Sequence, residues 1–263
     1  MLLVLLLVAL CVPILPLPGP FDQNLAGAFA PPFTSTAAPL GRDDLGRNEL
    51  SRLLFGLQPT LFISLVGGAL ATLLGLALGL LAGYGPRWTR VPAEAAVDVL
   101  LTFPTFVLAI ALVSIGGRNV ASLISAVALT SAGSVGRLVR SETLRLAGME
   151  FITAMVVDGA RLGRILVRGL VPSLIGLIIV QFSIVVSVSI LTVAALGFIG
   201  LGIAPPAPEL GTLVNEGAQF LLSDGWLVVF SGLLISILIL ALNFIGDGLR
   251  DLLDPRLATY AER

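Results

Sequence analysis

Neither lysine nor histidine occurs anywhere in the 263 residues, and cysteine occurs once, at Cys11. Each absence removes a class of chemistry. Without lysine there is no Walker A loop, whose lysine reaches the nucleotide phosphates. Without histidine there is no His-based triad, no histidine metal site and no histidine proton relay. A single cysteine makes neither an intrachain disulfide nor a cysteine-rich metal site. Charge of either sign is also scarce: 12% of residues carry one, against about a quarter in an ordinary soluble domain. All fifteen basic residues are arginine, a bias that a GC-rich genome accounts for.

The rest of the chain is apolar. It is 57% hydrophobic with a mean hydropathy of +1.05, and its charges sit in clusters between long uncharged runs. That pattern defines a polytopic membrane protein. Residues 1–17 read as a first transmembrane helix with an abbreviated start, because the basic n-region and cleavage site of a signal peptide are missing. Residues 18–56 are proline-rich and then polar, with Leu45, Leu50, Leu53 and Leu54 spaced as a short amphipathic helix at the membrane surface. Apolar runs predict five more spans, at 57–84, 95–116 (with Asp98 near its start and Pro104 inside), 120–136, 172–196 and 226–246. Within 57–84, Ala71, Gly75, Gly79 and Gly83 recur every fourth residue, a smooth face against which another helix can pack closely.

Arginine placement sets the orientation. With the N-terminus inside, eleven arginines fall in the segments 85–92, 137–168 and the tail after 247. Arg42, Arg47, Arg52 and Arg118 fall outside. This satisfies the positive-inside rule and predicts cytoplasmic N- and C-termini.

Several polar groups invite functional readings. Glu94 and Asp98 sit one turn apart at a membrane boundary. Intramembrane carboxylates point to proton coupling by default, but Arg87 and Arg90 nearby make ion pairing the better account. Asp43 and Asp44 are a poor nickel ligand set with no His or Cys beside them, and helix N-capping explains one of them more economically. Asn243, Asp247 and Arg250 share a face near the inner end of the last span, as a structural network. Gln181, Ser183, Ser187 and Ser189 give the fifth span uncharged polar character, which suits a translocation path; helix–helix hydrogen bonding explains them as well.

The stretch EFITAMVVDGARLGRILVRGLVP, 150–172, is a basic island between two spans and therefore lies in water beside the membrane. Gly159 is followed thirteen positions later by Pro172. This spacing resembles the EAA loop of ABC-transporter permeases, and the run is similar to that of the dipeptide, oligopeptide and nickel importer family. GRDDLGRNELSRLLFG at 41–56, LGFIGLGIAPPAPELGTLVNEG at 196–217 and LNFIGDGLRDLLDPRL at 242–257 resemble that family's other signatures in order and spacing. There are departures. The usual Glu-Ala-Ala falls on Thr153-Ala154-Met155, so a glutamate's contacts are not expected here. A literal Glu94-Ala95-Ala96 is a decoy, since position 100 is Leu, and the family's N-terminal cytoplasmic tail is missing.

The resemblance implies an all-α membrane protein with six transmembrane helices and a cytoplasmic coupling helix, the type I ABC importer permease fold. Residues 1–56 would hold the first span and an extracytoplasmic segment, and 57–263 the core permease domain. The chain would be non-catalytic and translocate di- or oligopeptides across the inner membrane, with nickel or metallophore import as the alternative and ion-coupled secondary transport as a remoter one. Implied partners are a homologous second permease, two cytoplasmic ATPase subunits that bind the ATP and Mg, an extracytoplasmic solute-binding protein, and lipid. No nucleic acid and no cofactor in this chain are implied. Phe151, Thr153, Ala154, Asp158, Gly159, Ala160 and Arg161 would meet the ATPase; Gln181, Ser183 and Ser187 would line the path. A glycine ends the coupling helix in a close turn, and Pro172 is expected to start the next span. Arg164 and Arg168 read as headgroup anchors.

Overall fold

The computed structural model of the chain describes residues 11–253. The first ten residues of the expected span 1–17, and residues 254–257 of the last signature, lie outside that part. Within it, eight helices carry the fold and no extended strand is found among the described residues. α1 is Glu49–Tyr84, α2 Arg87–Thr102, α3 Thr105–Gly116, α4 Val120–Ala147, α5 Glu150–Val157, α6 Leu162–Phe198, α7 Leu210–Ala218 and α8 Trp226–Leu253. α1, α4, α6 and α8 are each long and apolar enough to cross a membrane. α2 and α3 together make a fifth such segment, bent by 95°.

That bend corrects the expectation of one continuous span over 95–116. Pro104 has no N–H to give, and it pushes the residue before it out of the helical region. Phe103 accordingly has ψ 133°, and the helix restarts at Thr105. The basic stretch 85–92 is mostly helical. Only Gly85 and Pro86 turn, and Arg87 is already helical.

Three helices outrun their uncharged cores. α1 begins at Glu49, capped by the Asn48 side chain on Ser51 N–H, so the boundary between 56 and 57 falls inside one helix. Leu50, Leu53 and Leu54 ride on α1 rather than on a separate amphipathic helix. α4 runs on past 136 through Arg137, Arg140 and Arg145. α6 begins at Leu162, so Pro172 does not start it. The turn before Pro172, Ile165–Leu170, is π-helical, and Val171 N–H bonds Leu166 O five residues back. A widened turn accommodates a residue whose ring and missing N–H disturb the i−4 ladder.

The small-residue face of α1 packs on α4. A Cβ added at Gly79 would stand 2.5 Å from Val139 Cβ and 2.7 Å from Gly136 O. At Gly75 the obstacle is Val135, again at 2.5 Å. Around this axis sit two apolar clusters that bear on function. One, with Leu57, Val186, Ile190, Leu210 and Leu238, joins α1, α6, α7 and α8. The other, with Val139, Leu146, Ile152, Ile165 and Leu174, joins α4, α5 and α6 at the arginine-rich end.

Candidate functional site: a short exposed helix at the arginine-rich end

α5 is eight residues long, too short to be stable alone, and its hold on the bundle is narrow. Ile152 is 1% exposed and packs into the cluster with Ile165 and Leu174, with Met155 on the same face. The outward face carries Phe151, Ala154 and Val157, spaced three apart, with Val157 80% exposed. Exposing apolar side chains where they touch nothing of the same chain is a mark of an interaction surface.

The helix ends in a Schellman turn. Ala160 N–H bonds Met155 O at 2.9 Å and Gly159 N–H bonds Val156 O at 3.0 Å, with Gly159 in the left-handed region at φ +74°. That conformation is what requires glycine here. Nothing lies within 4 Å of a Cβ placed on Gly159, so space is open on that side. Arg161 follows as an extended residue (ψ 153°) that opens α6.

The structure thus brings Phe151, Thr153, Ala154, Asp158, Gly159, Ala160 and Arg161 into one unit. All are exposed except Ala160, which is half-buried against the core. Sequence reasoning missed Val156, Val157 and Leu162, which are exposed beside them at 51%, 80% and 38%. The signal was available, since three apolar residues in a stretch that must lie in water have no core to bury them.

Gln181, Ser183 and Ser187 lie well along α6, on the order of 30 Å from its start at 1.5 Å per residue. They do not form a shared polar surface with the loop. Ser187 Oγ donates to Ser183 O at 3.1 Å, and Ser183 Oγ to Ile179 O at 3.3 Å, each satisfied within its own helix. Ser183 also lines a groove of about 240 Å³ between α6 and α8, with Ile184, Leu242, Asn243, Asp247 and Arg250.

A second polar centre occupies the opposite end. Asp43 caps no helix. Its Oδ1 accepts from the N–H groups of Leu45 and Arg47, at 3.0 and 2.8 Å, closing a turn in which Gly46 takes φ +70°. Its Oδ2 accepts from Arg47 Nε at 2.6 Å and from Arg52 Nη1 at 2.7 Å. Glu216 of α7 completes the knot, 2.8 Å from Arg52 and 3.3 Å from Arg47. Nearby, Glu209 is fully buried and caps α7, accepting from Gly211 and Thr212 N–H at 2.8 and 3.1 Å, with Thr60 Oγ1 at 3.3 Å. Burial pushes its carboxyl up to about 7, against the pull of those N–H donors.

Glu94 pairs chiefly with Arg140 of α4 at 2.8 Å, with Arg90 at 4.0 Å. The expected pairing with arginine holds, but its main partner comes from another helix.

Membrane-length helices around a glycine-lined axis, with a short exposed helix between α4 and α6, define an all-α membrane protein. Residues 75–259 match the binding-protein-dependent transport system inner membrane component family, and the chain belongs to it. It is 39% identical over 217 residues to the dipeptide transport system permease protein DppC of Alkalihalophilus pseudofirmus, covering 82% of this chain and 71% of the relative. It is 40% identical over 223 residues to the glutathione transport system permease protein GsiD of Pectobacterium atrosepticum, covering 85% and 74%. An inward-facing structure of the MetNI methionine ABC transporter superposes with a TM-score of 0.64 at 20% identity, covering 78% of this chain and 97% of that one. The fold is that of type I ABC importer permeases.

Proposed function

We propose that this chain is the channel-forming permease subunit of an ATP-driven importer of short peptides, and that α5 is its coupling helix. The observation that carries the reading is the exposed apolar face of α5, closed by the turn at Gly159 and flanked by Arg161. Such a face fits a groove on a soluble subunit, and its tether to the core through Ile152 passes motion into α4 and α6. The substrate class is taken from the dipeptide and glutathione relatives.

In this reading a homologous permease completes the channel, two ATPase subunits bind ATP and Mg on the cytoplasmic side, and a solute-binding protein delivers peptide outside. This chain holds no cofactor and catalyses no reaction. Both termini are cytoplasmic. ATP-driven closure of the ATPases moves α5 and opens the path outward. Glu94, neutralised by Arg140, is poorly placed as an ion-coupling carboxylate.

The test is uptake into proteoliposomes holding this chain with the products of its neighbouring genes, offered labelled dipeptide, glutathione and nickel in turn. Dipeptide uptake that needs ATP and survives an ionophore is the expected result. Nickel uptake alone would overturn the substrate class, and gradient-driven uptake without ATP would overturn the importer.

A further inference from the structure

The groove between α6 and α8 has a chemistry that packing does not use. Asn243, Asp247 and Arg250 stand at i, i+4 and i+7 on α8, so they share one face, and Ser183 of α6 closes the groove beside them. All three α8 side chains are exposed, and none has a hydrogen bond or ion pair among the described residues. An aspartate and an arginine three apart on a helix are placed to pair with each other, and here they do not. Arginine alone would read as a headgroup anchor, but Asp247 on the same face gains nothing beside the phosphates of a bilayer. The remaining walls, including Ile184 and Leu242, are apolar.

We infer that this groove is a binding subsite on the translocation path for the two charged ends of a short zwitterionic peptide. Asp247 takes the α-ammonium and Arg250 the α-carboxylate, while Asn243 and Ser183, on the far side of Asp247 from Arg250, offer further acceptors to the ammonium. The inference rests on the peptide reading above. The dimensions agree. Side chains three apart on a helix are about 5–6 Å apart at Cβ, and two extended residues span about 7 Å. The volume of about 240 Å³ admits a dipeptide and not a long chain. Guanidinium suits this role because it grips a carboxylate with two parallel hydrogen bonds. Side chains of the peptide meet the apolar walls, which discriminate weakly by shape. The site therefore reads termini rather than sequence.

The experiment uses the assembled transporter in lipid nanodiscs without its binding protein, so that only sites on the membrane complex are seen. Binding of tritiated Ala-Ala is competed by unlabelled Ala-Ala, its N-acetyl derivative and its C-terminal amide. In the wild type each blocked peptide competes about ten-fold more weakly than Ala-Ala, the loss expected for one charge-assisted contact. Asp247→Asn abolishes the discrimination against the N-acetyl peptide and keeps that against the amide. Arg250→Gln does the reverse. Arg250→Lys, which keeps charge without the two-pronged geometry, weakens Ala-Ala binding but preserves the order of competitors. Assembly of each variant is checked by size-exclusion chromatography, and Arg250→Lys carries the test if a neutral variant does not assemble. A wild type indifferent to blocked termini, neutral variants that keep the wild-type discrimination or weaken all three peptides equally, or an Arg250→Lys variant that binds Ala-Ala as tightly as the wild type would each overturn the subsite. ATP-driven uptake of Ala-Ala by the complete wild-type transporter is measured in parallel. Its absence overturns the peptide reading and the subsite with it; its presence with a negative binding result overturns the subsite alone.

Discussion

Arg52, near the start of α1, donates from Nη1 to Glu216 Oε2 of α7 at 2.8 Å, joining residues 164 positions apart. The same nitrogen reaches Asp43 at 2.7 Å. One guanidinium, 1% exposed, thereby ties the turn before α1 to the connection between α6 and α8.

Removing that cation leaves Asp43 buried beside a single arginine and strips Glu216 of its nearest partner. Arg52→Ala is expected to lower stability by about 3–5 kcal/mol, the cost of breaking a buried pair. Glu216→Gln costs less, about 1 kcal/mol, because its side chain keeps 28% of its surface exposed. Thermal unfolding of the two purified variants, followed by circular dichroism, separates them. Equal shifts would contradict the account.

Glu209 gives stability a pH dependence of definite sign. Its folded value is about 7 against an ordinary 4.5. Between the two, the folded chain holds a proton that the unfolded chain has released. The contribution is full below the lower value and is lost as pH rises through the higher one. The amplitude is on the order of 3 kcal/mol. Glu209→Gln stays neutral and is expected to flatten the fall in unfolding temperature between about pH 5 and 8. An unchanged slope in that variant would place the titration elsewhere.

The α1–α4 contact has no room for a side chain at Gly79. Gly79→Val must move either Val139 or the backbone at Gly136, and is expected to cost about 3 kcal/mol. Gly232→Val is the control, since nothing lies within 4 Å of a Cβ there. The yield of monodisperse protein in detergent reads the difference, and comparable losses would mean the contact is looser than described.

Gly159 separates folding from coupling. A side chain there has open space but must adopt φ +74°, a strain of about 1–2 kcal/mol confined to the end of α5. Gly159→Trp is therefore expected to insert and assemble at wild-type levels while abolishing ATP-driven uptake, with Gly159→Ala intermediate. Wild-type uptake by the Trp variant would remove α5 from the coupling role.

Composition and charge placement alone determined that this is a helical membrane protein, where its apolar segments lie, and which stretch must sit in water. These follow from transfer free energy, which acts residue by residue and needs no knowledge of neighbours. The spacing of Ala71, Gly75, Gly79 and Gly83 announced a close helix contact, though not that α4 is the partner. Gly159 announced a turn because only the left-handed region demands glycine. Tertiary structure decided what depends on distant partners. Pro104 breaks its span by 95° while Pro172 passes within α6, because a π-helical turn absorbs one and nothing absorbs the other. Asp43 looked like a helix cap until Arg52 and Glu216 were brought to it. Glu94 found Arg140 rather than its sequence neighbours, and Glu209 became a buried cap held by Thr60 from another helix. Hydrophobicity is local, whereas the partner that satisfies a buried charge is chosen by the fold.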